Sequence, residues 1–129
     1  MVNIAMFLAS EKGYNSLRTA IDSGLAPRIK FVSTFKETNV TKSFDEDICN
    51  LCDQYHIKHF TWSDLKPNLL NTVENMCVDI AFTVSWKFLI DTRINQLMKY
   101  GLVVFMIPFF QNIVASLQPR QQLCAEKVK

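Results

Sequence analysis

NIAMFLA, residues 3–9, is the stretch of this chain that decides its fold. A short and almost uninterrupted apolar run is typical of a central parallel strand that helices cover on both faces. The polar residues that follow, Ser10 to Asn15, are predicted to turn the chain. Further short runs with strand character occur at residues 28–34, 58–61, 79–85 and 102–105.

Between the predicted strands, apolar residues recur at helical spacing. Helices are therefore predicted near residues 17–25, 44–55, 63–76 and 91–100. Gly24 and Gly101 are expected to end the first and the last of them. Ser43 is the predicted N-cap of the second helix, and Pro67 lies in the first turns of the third.

The alternation of strands and helices with short connections predicts the fold class. It is typical of an α/β fold with right-handed crossovers, here a Rossmann-like, doubly wound and mostly parallel sheet that is incomplete at the C-terminus. In such sheets ligands bind beyond the carboxyl ends of the strands, near the point where strand order reverses. The loops after Ala9, Ser85 and Phe105 are the predicted places for a site.

Length and charge exclude several classes of protein. A chain of 129 residues predicts one domain, and a net charge of +2 with scattered basic residues gives no support to nucleic-acid binding. The longest apolar run, 102–110, is interrupted by Pro108 and is too short to span a bilayer. We therefore expect no membrane segment, a cytoplasmic location and reduced cysteines.

A possible zinc set, Cys49, Cys52, His56 and His59, is better explained as structure. The first three fall on one helical face, where cysteines pack into a core, and no second cysteine pair is available to complete four ligands. We expect no metal site.

Two loops are candidates for binding. The turn from Ser10 to Ser16 opens a helix whose amides could hold an anion, or it is a plain connection. The segment WKFLI, residues 86–90, is apolar where a loop should be polar. It either caps the core or builds a flat apolar pocket for a ring.

Several segments together resemble the formyltetrahydrofolate-utilising N-terminal domain of the formyltransferases. Residues 3–7 with Ser10, Gly13 and Asn15 are similar to the first strand and turn of that family, and residues 48–57 to its helix before the third strand. AFTVSWKFLI, residues 81–90, is close to the family segment "SVGWRYLI". The resemblance covers residues 2–105.

The resemblance implies a ligand and its site. The family transfers a formyl group from 10-formyltetrahydrofolate to a small-molecule amine, such as an amino-sugar nucleotide. Its members hold the pterin ring with the loop after the fourth strand, which implies this role for Trp86, Lys87, Phe88, Leu89 and Ile90. The first turn lies on the acceptor side, which implies Ser10, Gly13 and Asn15 as substrate-binding residues.

The catalytic residues of the family are missing from this chain. Formyl transfer needs an oxyanion donor and a base, which an Asn-x-His motif at the end of the fifth strand and a later Asp supply. Val104 stands at the Asn position and Met106 at the His position. Neither side chain donates a hydrogen bond or accepts a proton, so we expect no catalytic residue.

The genetic code suggests a cause. If the last base of each codon is read with the first two of the next, Phe105 to Pro119 can spell "HDSLLPKYRGFAP" followed by Ala or Thr. That peptide is the family motif, and we hypothesise a frameshift after Phe105. Residues 1–105 are then a formyltransferase-like domain, and residues 106–129 are a non-homologous tail.

Two functions remain open from the sequence. One is a truncated, inactive formyltransferase-like protein, whose apolar tail favours self-association. The alternative is a non-catalytic α/β interaction module that uses its apolar C-terminal segment to bind a partner.

Overall fold

A computed structural model describes residues 2–104 and shows a five-stranded sheet in which all neighbouring strands are parallel. The strands are β1 Ile4–Leu8, β2 Ile29–Thr34, β3 His59–Thr61, β4 Ile80–Val84 and β5 Gly101–Val104. Their spatial order is β3-β2-β1-β4-β5. The predicted α/β, Rossmann-like doubly wound class is confirmed.

The helices connect successive strands. They are α1 Ser10–Asp22, α2 Asp45–Gln54, α3 Trp62–Leu65, α4 Leu69–Asn75 and α5 Ile94–Leu97. A short 3-10 turn precedes β2 at Ala26–Arg28, and another separates α3 from α4 at Lys66–Asn68. Because each crossover carries its helices to one face or the other, both faces of the sheet are covered.

Two apolar layers form the core. α1 and α2 pack on one face with side chains such as Leu17 and Ile48, and α3, α4 and α5 pack on the other with Trp62, Val73 and Ile94. All residues of β1 and β4 are buried. Burial on both faces explains why these strands are continuous apolar runs and do not alternate.

A polar clasp joins the start of β1 to the start of β4. The Asp79 carboxylate accepts a hydrogen bond from the Asn3 backbone N–H at 2.9 Å, and the Asn3 side-chain amide donates to the Cys77 carbonyl at 2.9 Å. The Asp79 N–H donates in return to the Asn3 carbonyl at 2.8 Å. Residues far apart in sequence are thereby fixed at the amino edge of the sheet.

Three helices end in the same Schellman motif, in which a left-handed residue follows the helix and two backbone hydrogen bonds satisfy its last carbonyls. The left-handed residue is Gly24 after α1, His56 after α2 and Cys77 after α4, with φ of 85°, 59° and 54°. After α2, for example, the Ile57 N–H donates to the Cys52 carbonyl at 2.8 Å. Gly24 is the predicted stop of α1, whereas the motifs at His56 and Cys77 carry no glycine signal.

The start of α1 corrects one prediction. Ser10 to Asn15 do not turn the chain but form the first turns of α1. The reason is local packing: an added Cβ at Gly13 would lie 3.0 Å from the Leu8 Cβ, so glycine permits the helix to begin directly against β1.

Other helix ends also differ from prediction. Ser43 is not an N-cap, because its hydroxyl accepts a bond from the Glu37 N–H and donates to the Asp45 carboxylate. The helix predicted over residues 63–76 is interrupted around Pro67, which has no N–H to donate. Gly101 is the first residue of β5, with φ of 79°, and α5 ends before it.

None of the helices between residues 2 and 104 has the length and apolar character that a bilayer crossing requires. Phe105 and the predicted tail, residues 106–129, lie outside the described residues.

Candidate functional site

The strand order reverses at the carboxyl ends of β1 and β4, which are neighbours in the sheet. Leu8 lies opposite Val84, and the Ala9 N–H donates to the Val84 carbonyl at 3.2 Å. α1 begins directly after β1 and the loop of residues 85–90 directly follows β4. The two predicted binding segments therefore meet at one edge, where ligands bind in open α/β sheets.

The loop after β4 begins with a strained residue. Ser85 has φ of 56°, in the left-handed region that residues other than glycine, asparagine, aspartate and histidine seldom adopt. This conformation turns the chain sharply at the end of β4, so that Trp86 returns over the face covered by α3, α4 and α5.

Trp86 is the centre of an aromatic cluster at this edge. Its ring lies 5.1–5.9 Å from those of Phe7, Phe35, Trp62 and Phe88, centroid to centroid. The interplanar angles of 69–89° are edge-to-face arrangements, which aromatic pairs favour. The aromatic cluster consists of Phe7, Phe31, Phe35, Phe60, Trp62, Trp86 and Phe88.

The rest of the loop covers this cluster from the solvent side. Phe88 stacks on Trp62 at 6.2 Å with an interplanar angle of 17°. The Lys87 ammonium lies 5.1 Å from the centre of the Phe35 ring and 5.3 Å from that of Phe88. Ile90 packs against the same layer, whereas Leu89 is 94% exposed. The segment thus caps the core, and its own rings fill the space that a flat ligand would need.

Unpartnered polar atoms accompany the aromatic cluster. The indole Nε1 of Trp86 and the hydroxyls of Ser33 and Thr34 are enclosed and have no hydrogen-bond partner. Ser33 lies opposite Phe7 in the sheet, on the strand next to it. Buried polar groups without partners are rare and costly. Ser33 lies on the face of the aromatic cluster, whereas Thr34, the next residue of β2, points to the other face.

The predicted acceptor-side residues have separate environments. The Ser10 hydroxyl accepts a weak bond from the Lys12 N–H at 3.3 Å, and Asn15 is exposed. Gly13 is buried against Leu8. The structure therefore gives Gly13 a packing role, and only Ser10 and Asn15 present side chains to solvent.

The loop after β2 lies against the first turns of α1. The Phe44 ring is 6.2 Å from that of Tyr14. Lys42 forms an ion pair with Asp47 at 2.9 Å, and the hydrogen bond that its ammonium donates to that carboxylate raises the pKa of Lys42.

The cysteines and histidines do not converge. Burial raises the pKa of the Cys52 thiol to about 12, and burial together with Asp45 and other acidic neighbours raises that of Cys49. His59 pairs with Asp53 at 2.9 Å. Among residues 2–104 no group of three or more metal-ligating side chains comes together.

Sequence reasoning missed part of this edge. Phe35, Trp62 and Ser33 are not among the predicted site residues, although the rings of Phe35 and Trp62 contact Trp86 and Ser33 lies opposite Phe7. The available signal was the run of aromatic residues at the ends of successive predicted strands.

The end of β5 carries no catalytic group in the described chain. Val104 is 76% exposed and lies opposite Thr83. No protein-family model matches this chain, and no curated protein is significantly similar to it in sequence.

Proposed function

We propose that this chain is a formyltransferase-like domain that keeps the folate side of the fold and performs no formyl transfer. The observation that carries the proposal is the geometry of the loop after β4. Ser85 stands where the family segment "SVGWRYLI" has glycine, and its φ of 56° is the backbone conformation that favours glycine. A sequence likeness and a backbone requirement thus coincide at one position.

The chemistry of this edge suits a flat heterocycle. A pterin is planar and carries hydrogen-bond acceptors, and the aromatic cluster offers ring faces together with the Trp86 N–H and the Ser33 hydroxyl. Trp86 and Ser33 would orient the ring, and Phe88 would exclude water from it. Because Phe88 stacks on Trp62 at 6.2 Å, binding requires Phe88 and Lys87 to move outward.

The loss of activity follows from the end of β5. A tetrahedral oxyanion needs a hydrogen-bond donor within reach and the attacking amine needs a base. The valine side chain at position 104 supplies neither. Folate binding and catalysis are therefore separable in this chain.

Formyl transfer is tested by incubating the purified chain with 10-formyltetrahydrofolate and an amino-sugar nucleotide. We expect no formylated product above the uncatalysed background by mass spectrometry. Turnover that depends on the chain would overturn the prediction that it performs no formyl transfer. A matched positive control is the gene corrected in frame after codon 105 and carrying Val104→Asn, because the frame correction alone restores the His position and leaves valine at the Asn position.

Folate binding is tested by calorimetric titration with 5-formyltetrahydrofolate, a stable analogue. We expect weak saturable binding. The dissociation constant should change in Phe88→Ala and stay the same in Leu97→Ala. Leu97 is a suitable control because it is comparably exposed, at 39% against 38% for Phe88, and is not part of the aromatic cluster. A folded chain that shows no binding would remove the folate part of the proposal.

The proposed frameshift has its own test. The nucleotide sequence through codons 100–129 either encodes the family motif in the shifted frame or does not. Codons that exclude "HDSLLPKYRG" would refute the frameshift without any assay of the protein.

Exposed apolar side chains favour a second candidate, a non-catalytic interaction module. Val104 and Leu89 are 76% and 94% exposed, and Val104 leads directly into the apolar segment at residues 106–117. Deleting residues 106–129 discriminates between the two functions. A module should lose its partner or its self-association, whereas an accidental tail should affect only solubility.

A further inference from the structure

A cleft lies at the amino ends of the strands, on the opposite side of the sheet from the proposed folate loop, which follows the carboxyl end of β4. It has a volume of about 700 Å³, is open to solvent, and is formed where β2 and β3 begin and α2 and α4 end. Its polar lining comes chiefly from Lys30, His56, Lys58 and Asn75. Its apolar walls include Tyr55 and Met76.

The sheet is locally irregular at this cleft. Ile4 of β1 lies opposite Ile29, and the next residue, Ala5, lies opposite Phe31. Lys30 is therefore an extra residue, a β-bulge, which explains why Ile29 and Phe31 pack on opposite faces of the sheet. Bulges redirect side chains and are common beside binding sites, and this one places Lys30 in the cleft wall.

His56 has a backbone conformation that it shares with Cys77 at the end of α4. It occupies the left-handed position of the Schellman motif after α2, with φ of 59°. Glycine occupies this position after α1 and adopts it without a steric penalty. A histidine there costs about 1 kcal/mol of backbone strain, so the chain holds an imidazole in the cleft wall at the expense of stability. Residues kept in strained conformations concentrate at functional sites.

The charges of the cleft are unbalanced. No Asp or Glu lines it, and neither Lys30 nor Lys58 forms an ion pair with a carboxylate in the part of the chain that the structure describes. The ends of α2 and α4 each contribute a partial negative charge of roughly one half at most. Two ammonium groups outweigh these helix ends, and the cleft attracts anions.

We propose that the cleft lined by Lys30, His56 and Lys58 binds a small organic phosphate. Lysine is a good point-charge partner for phosphate, and an imidazole N–H adds a directional donor. The volume exceeds that of a bare phosphate and falls in the range of small-molecule sites. The ring of Tyr55 and the side chain of Met76 are positioned to contact the apolar part of the ligand. The inference is independent of the proposed folate binding.

Calorimetric titration of the full chain at low salt tests this proposal, with ADP, inorganic pyrophosphate and adenosine as probes. We expect saturable binding of ADP, weaker binding of pyrophosphate and none of adenosine. Lys30→Gln with Lys58→Gln should weaken ADP binding at least about tenfold, because two charge-assisted contacts are lost. The charge-matched control, Lys66→Gln with Lys99→Gln, should bind ADP within about twofold of the unaltered chain, since neither lysine lines the cleft.

His56→Gly separates a binding role from a structural one. It should raise the melting temperature, since glycine relieves the left-handed strain, and should weaken ADP binding. Three results would overturn the proposal: no saturable binding by the folded chain, an equal loss in the Lys66/Lys99 control, or unchanged ADP affinity in the Lys30/Lys58 variant.

Discussion

The unpartnered indole of Trp86 leads to a prediction in which two substitutions of one residue have different effects. Trp86→Ala removes a ring that contacts four others at 5.1–5.9 Å. Large-to-small changes of a packed tryptophan cost about 3–5 kcal/mol of unfolding free energy. Because Trp86 is partly exposed, we expect the lower end of that range.

Trp86→Phe keeps an aromatic ring but removes the enclosed N–H that has no partner. The smaller ring loses roughly 40 Å² of buried apolar area, worth about 1 kcal/mol. Removing an unsatisfied buried donor returns about 1–3 kcal/mol. The two effects together predict that the unfolding free energy of Trp86→Phe lies between unchanged and about 2 kcal/mol above that of the unaltered chain.

The assay is urea unfolding followed by far-ultraviolet circular dichroism, which does not depend on the tryptophan that is replaced. Trp62→Phe is the matched control: Trp62 is 5% exposed and belongs to the same cluster, but its indole nitrogen is not an enclosed atom without a partner. It should lose about 1 kcal/mol, since it has no such donor to relieve. A loss in Trp86→Phe as large as that in Trp62→Phe would refute the reasoning.

Further predictions concern the backbone and the thiols. Ser85→Gly should raise the unfolding free energy by about 0.5–1 kcal/mol in urea unfolding, because it relieves a left-handed residue, and Ser85→Val should lower it. Gly13→Ala should lower the melting temperature despite the better helix propensity of alanine, because the added Cβ lies 3.0 Å from the preceding strand; a rise would show that the strand yields. Exposed Cys77 should react with iodoacetamide at pH 8 before Cys49 and Cys52, as mass spectrometry of timed digests can show. Burial raises the pKa of Cys52 to about 12, so its thiolate is scarce at pH 8 and its alkylation should accelerate only at strongly alkaline pH.

The sequence predicts the sheet better than the site. Apolar runs such as residues 3–9 and 79–85 identify strands because burial on both faces leaves no alternation to misread. Gly13 shows the limit of predicting structure from apolar periodicity. It allows α1 to pack closely against β1, and the spacing of apolar residues does not indicate such a contact. The start of α1 was therefore predicted as a turn.

The aromatic cluster was less predictable still. Phe7, Trp62 and Trp86 are far apart in sequence and meet only through the order and register of parallel strands. The positive φ of Ser85 is likewise a property of the folded turn. The loop at residues 86–90 is apolar where a loop should be polar, but whether it forms a cap or a pocket depends on contacts with residues that are distant in sequence.

The clasp between Asn3 and Asp79 limits when the centre of the sheet can form during translation. β1 occupies the middle of the sheet, yet one of its two flanking strands is translated last but one. A ribosome must therefore complete β4 before the first strand has neighbours on both sides and the hydrogen bonds of the clasp can form. The residues of the clasp and of both strands beside β1 all precede codon 106, so a product whose reading frame changed after codon 105 would still contain every residue that closes the centre of the sheet. We expect such a product to fold at its centre and to resist proteolysis better than a product interrupted before β4.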